Sequence, residues 1–271
     1  MKKTLFAVIS LIIVLVFVLS GCKYYAHYIE VSEEELDSVK QSFVELKLGN
    51  ASRSYSVSVN AEVNRFDIDT GEHLLKKISK FQSSGQLDHD EDGYSLHQKV
   101  YSYEKTDNKY ESSAELRETQ AEIWRNSAIE YLDVQYGVLQ DYSEEYPKGK
   151  YSFHGIMSKP DLFDYYILDE YDLYVFTQME DFKIYKADNK YKVTVTVSLD
   201  NCIVDEVQSE LYIILDSDGN IRSVKQVLTC DNSYEVNGEK IVEKLSGEVV
   251  MEYGNYKVNM PQNTDEFIPY R

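Results

Sequence analysis

Residues 54–64 read Ser54-Tyr55-Ser56-Val57-Ser58-Val59-Asn60-Ala61-Glu62-Val63-Asn64. In an extended chain Tyr55, Val57, Val59, Ala61 and Val63 point to one face, and the serines, asparagines and Glu62 to the other. A helix would scatter the apolar set around its axis. Alternation of this length marks an antiparallel strand with one face buried and one at water.

Working outward, runs of the same kind follow near residues 74–87, 94–105, 110–125 and 128–141. They break at Asp69-Thr70-Gly71, Asp88–Gly93, Asp107-Asn108 and Asn126-Ser127, where the side chains are those of turns. Strands resume at Phe182–Ala187, turn at Asp188-Asn189, and continue from Tyr191 to Leu199. Further strands fall at about 204–215, 221–231 and 240–254. Before the first strand, Ser32 and Glu35 form a capping box. Leu36, Val39, Phe43, Val44 and Leu46 then recur at helical spacing until Gly49-Asn50. Between Ser158 and Asp169, a cap, Pro160 in the first turn and a crowd of apolar residues from Leu162 to Leu168 predict a short second helix. The expected fold is α+β, mostly antiparallel β: a curved meander sheet or half-barrel of about ten strands. An N-terminal helix and a short mid-chain helix would cover one face. No repeat or low-complexity linker divides residues 32–271, so a single domain is expected. Apolar burial is worth about 25 cal/mol per Å², so so large a sheet must curl over its helices or over a ligand.

The N-terminus has a different character. Met1-Lys2-Lys3 precedes an apolar run from Leu5 to Leu19, broken only by Ser10, and the run closes on Leu19-Ser20-Gly21-Cys22. A positive end, a short apolar core and small residues make a secretory signal peptide over residues 1–21. The four closing residues resemble the lipobox of bacterial lipoproteins. That resemblance implies diacylglyceryl transfer to Cys22, cleavage before it, and attachment to the outer face of the cell membrane. Residues 22–31, with Tyr24, Tyr25, His27 and Tyr28, would be the tether. An uncleaved membrane helix is the alternative, because the uncharged stretch just reaches spanning length.

The formal charge is -19, and losing Lys2 and Lys3 leaves 26 basic against 47 acidic residues. Such a chain is repelled by nucleic acid and by anionic headgroups, so nucleic acid is excluded as a partner and membrane attachment falls to the lipid. Tyrosine is abundant, at 24 copies against one tryptophan, which suits half-buried strand positions. Cys202 and Cys230 flank a hairpin that turns near Asp216–Asn220. They are either a disulfide, the preferred reading outside the membrane, or two free thiols.

Helix, long strands, mid-chain helix, more strands: this order resembles the LolA and LolB carriers and the mycobacterial LppX and LprG lipoproteins. The stretch from Glu252 to Pro261 is similar to their last strand and proline-terminated tail. The resemblance covers most of residues 32–262. It implies a half-open barrel plugged by helices, with a hydrophobic or lipid-like ligand between them. The implied cavity lining is Val57, Val59, Val63, Leu162 and Tyr166. The alternative is that these residues make a closed core.

No nucleophile elbow, zinc-protease helix or phosphate loop occurs, and the five histidines have no ligand-like spacing. Asp216-Ser217-Asp218-Gly219-Asn220 lacks the glycine and glutamate positions of a calcium loop and reads as a hairpin turn. Asp88–Asp92 is an acidic hairpin tip, with weak calcium binding as the lesser reading. No enzyme, cofactor or metal site is expected. The sequence points to a binding lipoprotein, with a ligand-free envelope protein acting through its acidic surface as the rival.

Overall fold

The structure is a computed structural model. It describes residues 26–44, 52–90, 93–110, 115–126, 128–141, 144–154, 183–198 and 206–269. Two antiparallel meanders make one sheet. The first runs through β2 (Arg53–Asp67), β3 (His73–Asp90), β4 (Gly93–Asn108), β5 (Glu115–Asn126), β6 (Ile129–Asp141) and β7 (Glu144–His154). The second runs through β8 (Lys183–Ala187), β9 (Lys190–Ser198), β10 (Glu206–Leu215), β11 (Ile221–Val236) and β12 (Glu239–Tyr253). β12 then pairs with β2 along its whole length, from Glu239 opposite Asp67 to Tyr253 opposite Arg53. The centre of the sheet is therefore a seam between the last long strand and the first.

Two-residue strands finish the edges. β1 (Ile29–Glu30) pairs antiparallel with β8, and β13 (Ile268–Pro269) pairs parallel with β7. The described sheet thus has 13 strands, not about ten, and it is not a single meander. All ten expected strands are present. The three additional ones left little trace in sequence: β1 and β13 are too short for a period, and Pro147 and Gly149 interrupt the alternation of β7. β1 also shows that the folded domain includes part of the expected tether. Val31 N–H donates to the Ile184 carbonyl at 2.9 Å, and Tyr28 packs edge-on against Tyr212 at 6.0 Å.

Helical content is low among the described residues. Among the described residues there is one α-helix, α1 (Glu33–Val44), and one 3-10 turn, Thr264–Glu266. Three glutamates in the first turn of α1 complement the helix dipole. Glu35 N–H donates to the Ser32 carbonyl at 3.1 Å, and the Ser32 hydroxyl donates to the Glu35 carboxylate at 3.4 Å. The two residues of the box therefore bond each other rather than crossing onto the backbone. The expected helix at 158–169 lies outside the described residues.

The alternation that predicted β2 sets the two faces of the sheet. Tyr55, Val57, Ala61 and Val63 are buried and Val59 is half-buried, whereas their Ser and Asn neighbours are half-buried or exposed. Carried across the ladders, the same inner face bears Val249 and Met251 on β12, Val224 on β11, and Leu211 and Ile213 on β10. Val31, Leu36 and Val39 pack on this cluster, so α1 covers one end of the inner face. A second cluster lies further along the same face: Val100, Ala121, Ile123, Leu132, Val134, Leu139, Tyr146 and Phe153. The expected turns before β3 and between β10 and β11 are present, whereas Asp107 and Asn108 still belong to β4. At Asp67 the carboxylate accepts from the Thr70 N–H and hydroxyl, both at 2.8 Å. At Asp216 it accepts from Asp218 and Asn220 N–H, both at 2.9 Å.

Candidate functional site: a groove on the inner face

A bend in β6 and β7 shapes the site. The register between β5 and β6 shifts at Gln120/Ala121, and that between β6 and β7 shifts from Val134 to Val138. Gly137 sits in this bulge at φ +73°, and a Cβ there would lie 1.9 Å from the Glu118 carbonyl oxygen. Only glycine fits so close an approach in the left-handed region. Thr119 hydroxyl donates to the Val138 carbonyl at 2.7 Å and fixes the bulge to β5. Beyond the bend, Leu139 and Tyr146 return to the inner face, where Tyr146 meets the rings of Tyr151 and Phe153 at 5.8 and 5.6 Å.

Between this corner and β3 lies a groove of about 810 Å³. Phe81, Val100 and Leu139 supply apolar surface, Ser79, Ser102 and Thr119 add hydroxyls, and Glu104, Arg117 and Glu145 stand at its edges. The groove crosses β3 to β7, away from the end of the sheet on which α1 packs. It is large enough for a small ligand or an acyl chain.

Polar side chains also enter the inner face. Arg125 and Glu130 are 6% and 2% exposed and form a salt bridge across the β5–β6 turn through the Arg125 Nε–H. Gln98 donates to the Ser83 hydroxyl at 3.2 Å, with both residues buried. Glu243 is 4% exposed and accepts from the Tyr234 hydroxyl at 3.0 Å. Sequence reasoning passed over these residues, yet a signal was present. Arg125 continues the apolar phase Ala121, Ile123, and Glu130 begins the phase Leu132, Val134. A charge in phase with a buried set must be paired or it would be very costly.

The outer face is polar, as the serine row of β2 predicted. A shallow depression of about 360 Å³ crosses it over β2 to β6, among Ser56, Ser58, Gln82, Ser84, Tyr101 and Gln120. Near one end His97 stacks on Trp124 at 5.1 Å and 7°. The tail after β12 reaches this region: Lys257 pairs with Asp88 at 3.3 Å, and Phe267 packs edge-on against Tyr131 and Trp124 at 4.9 and 6.4 Å. Lys150 pairs with Glu266 at 2.5 Å and holds the tail to β7. That bond raises the Lys150 pKa and lowers that of Glu266.

Of the residues expected to line a cavity, Val57 and Val63 are buried, Val57 within the core beneath α1, and Val59 packs against that core. The groove described above is lined by β3–β7. Leu162 and Tyr166 lie outside the described residues, as do Cys22 and Cys202. Cys230 is buried, with Sγ 3.9 Å from the Glu243 carbonyl oxygen. Among the described residues no three His, Cys, Asp or Glu side chains gather to hold a metal. Of the acidic run Asp88–Asp92, the side chain described is that of Asp88, which accepts from Ser52 at 3.3 Å. No described helix is long and apolar enough to cross a membrane.

No family model matches the chain, and no curated protein matches it. Two solved structures show faint likeness. Pseudomonas aeruginosa OccK2 (OpdF) is 8% identical over 75% of this chain and 62% of its own, with a TM-score of 0.17. A DUF1329 family protein from Desulfovibrio piger is 10% identical over 85% of this chain and 94% of its own, with a TM-score of 0.16. The chain thus spans less than two thirds of OccK2, and neither likeness reaches the level of a shared fold.

Proposed function

We propose that this protein is a lipoprotein of the cell membrane, anchored on the extracytoplasmic side through an acylated Cys22, that binds a hydrophobic or lipid-like ligand without catalysing a reaction. The observation that carries the binding is the groove of about 810 Å³ on the inner face, beside the apolar cluster of β4–β7. The anchor reading rests on Lys2-Lys3, the apolar run and Leu19-Ser20-Gly21-Cys22. Two or three acyl chains give firm attachment, since each buried methylene contributes about 0.8 kcal/mol.

Native mass spectrometry of the mature chain tests the binding. The expected result is co-purified amphiphile in the wild type and its loss in Ser102→Trp, which fills the groove from a half-buried position. Adduct retained by a folded Ser102→Trp protein would refute this site. Peptide mass spectrometry of the N-terminus should find diacylglyceryl-modified Cys22 as the first residue. An intact, unmodified N-terminal segment would refute the anchor.

A further inference from the structure

The groove is apolar in its floor and acidic at its mouth. Glu104 and Glu145 line it and are exposed. The neighbouring cation, Arg117, is already engaged: its Nη2 and Nε lie 2.6 and 3.1 Å from Oε1 of Glu115. That contact, with smaller pulls from Glu104 and Glu145, raises the Arg117 pKa. Arg117 therefore offers little to an incoming anion. Lys80, the other lining cation, holds its ammonium 5.6 Å from the Tyr103 ring. The net charge of -19 adds to the same field.

Resting on the reading that the groove takes an apolar chain, we infer that its ligand is a single-chain amphiphile with a cationic head group, a quaternary ammonium or protonated amine. The chain lies along Phe81, Val100 and Leu139. The head stays at the water-facing rim beside Glu104 and Glu145, where full desolvation of its charge is avoided. A phosphate or sulfate head would meet two carboxylates there and an arginine already neutralised.

The test compares three detergents of one chain length below their micelle concentrations: dodecyltrimethylammonium, dodecyl maltoside and dodecyl sulfate. Binding to the mature chain carrying Cys22→Ser, which contains every described element, is followed by calorimetry. The cationic detergent should bind about tenfold more tightly than the neutral one, as two carboxylates within several ångström of the head imply. The anionic detergent should bind more weakly than either. Glu104→Gln with Glu145→Gln should erase the cationic preference. Asp69→Asn with Glu235→Gln, two exposed carboxylates away from the groove, should leave it intact. Equal binding of all three detergents, or a preference that survives the groove substitutions, overturns the inference and leaves the binding function standing. If Ser102→Trp changes the binding of none of them, the groove is not the site and both readings fall.

Discussion

Replacing Gly137 by alanine should cost far more than the same change at Gly238, although both glycines have positive φ, +73° and +82°. At Gly238, in the Asn237-Gly238 turn between β11 and β12, an added Cβ has nothing within 4 Å. The loss there is the left-handed penalty alone, about 1 kcal/mol. At Gly137 the Cβ falls 1.9 Å from the Glu118 carbonyl oxygen, far inside van der Waals contact, so β5 and β6 must separate. Separation endangers the 2.7 Å bond from Thr119 to Val138, worth about 1 kcal/mol. It also loosens Leu139, 5% exposed, whose packing loss adds about 1 to 2 kcal/mol. The total is about 3 to 4 kcal/mol. Urea unfolding followed by Trp124, the single tryptophan, reads the difference directly. With a slope of about 3 kcal/mol/M, Gly137→Ala should lower the midpoint by about 1 M and Gly238→Ala by about 0.3 M. Equal shifts would refute the argument that close strand approach, rather than backbone conformation alone, requires this glycine. If the groove binds as proposed, a folded Gly137→Ala protein should also bind the amphiphile more weakly, because the bulge forms one wall of the groove.

Arg125→Met leaves Glu130 as an uncompensated buried carboxylate and should cost about 3 to 5 kcal/mol, whereas adding Glu130→Leu should restore most of it. A double variant no more stable than the single one by urea unfolding would show that the pair does not act as a unit. The Lys150–Glu266 clip should give the tail a two-sided pH dependence. The lowered Glu266 pKa means its contribution is present above the ordinary carboxylate range and is lost as pH falls through the lowered value. The raised Lys150 pKa means its contribution is present below the ordinary lysine value and is lost as pH climbs past the raised one. Trp124 emission, which senses Phe267 at 6.4 Å, should change at both extremes in the wild type. The change should vanish in Phe267→Ala; an identical profile there would place its cause elsewhere.

The sheet was legible because its long strands solve one local problem repeatedly. Tyr55 to Val63 must alternate to bury one face, and any strand that does so announces itself. β7 escaped because its positions do not keep one phase: Tyr146 and Phe153 are seven apart yet share a cluster, since Pro147 to Gly149 bends the chain between them. The seam escaped for another reason. Pairing of β12 with β2 joins residues 172 positions apart at Glu239 and Asp67, and no local pattern encodes that. The groove depends on a bulge and on side chains from five strands, which no local pattern brings together. The valines of β2 lie on the inner face. There α1 packs Leu36 and Val39 against the core that holds Val57.

That division of the inner face bears on how an anchored protein could work. β1 joins the N-terminal segment to the β8 edge, and seven strand-to-strand steps separate β1 from β3, where the groove begins. At about 4.8 Å per step the path along the sheet is roughly 34 Å. Cys22, the proposed acylation site, stands six residues before Tyr28, whose ring packs against Tyr212. On the proposed anchoring, the wing bearing β1 would be held near the bilayer, while the groove lies on the other wing, beyond the seam. The folded domain is strongly acidic, so nothing in its charge draws the second wing onto an anionic membrane. A cationic amphiphile is attracted by that same field. On both proposals, the charge that would keep the groove clear of an anionic membrane surface is the charge that would favour a cationic amphiphile.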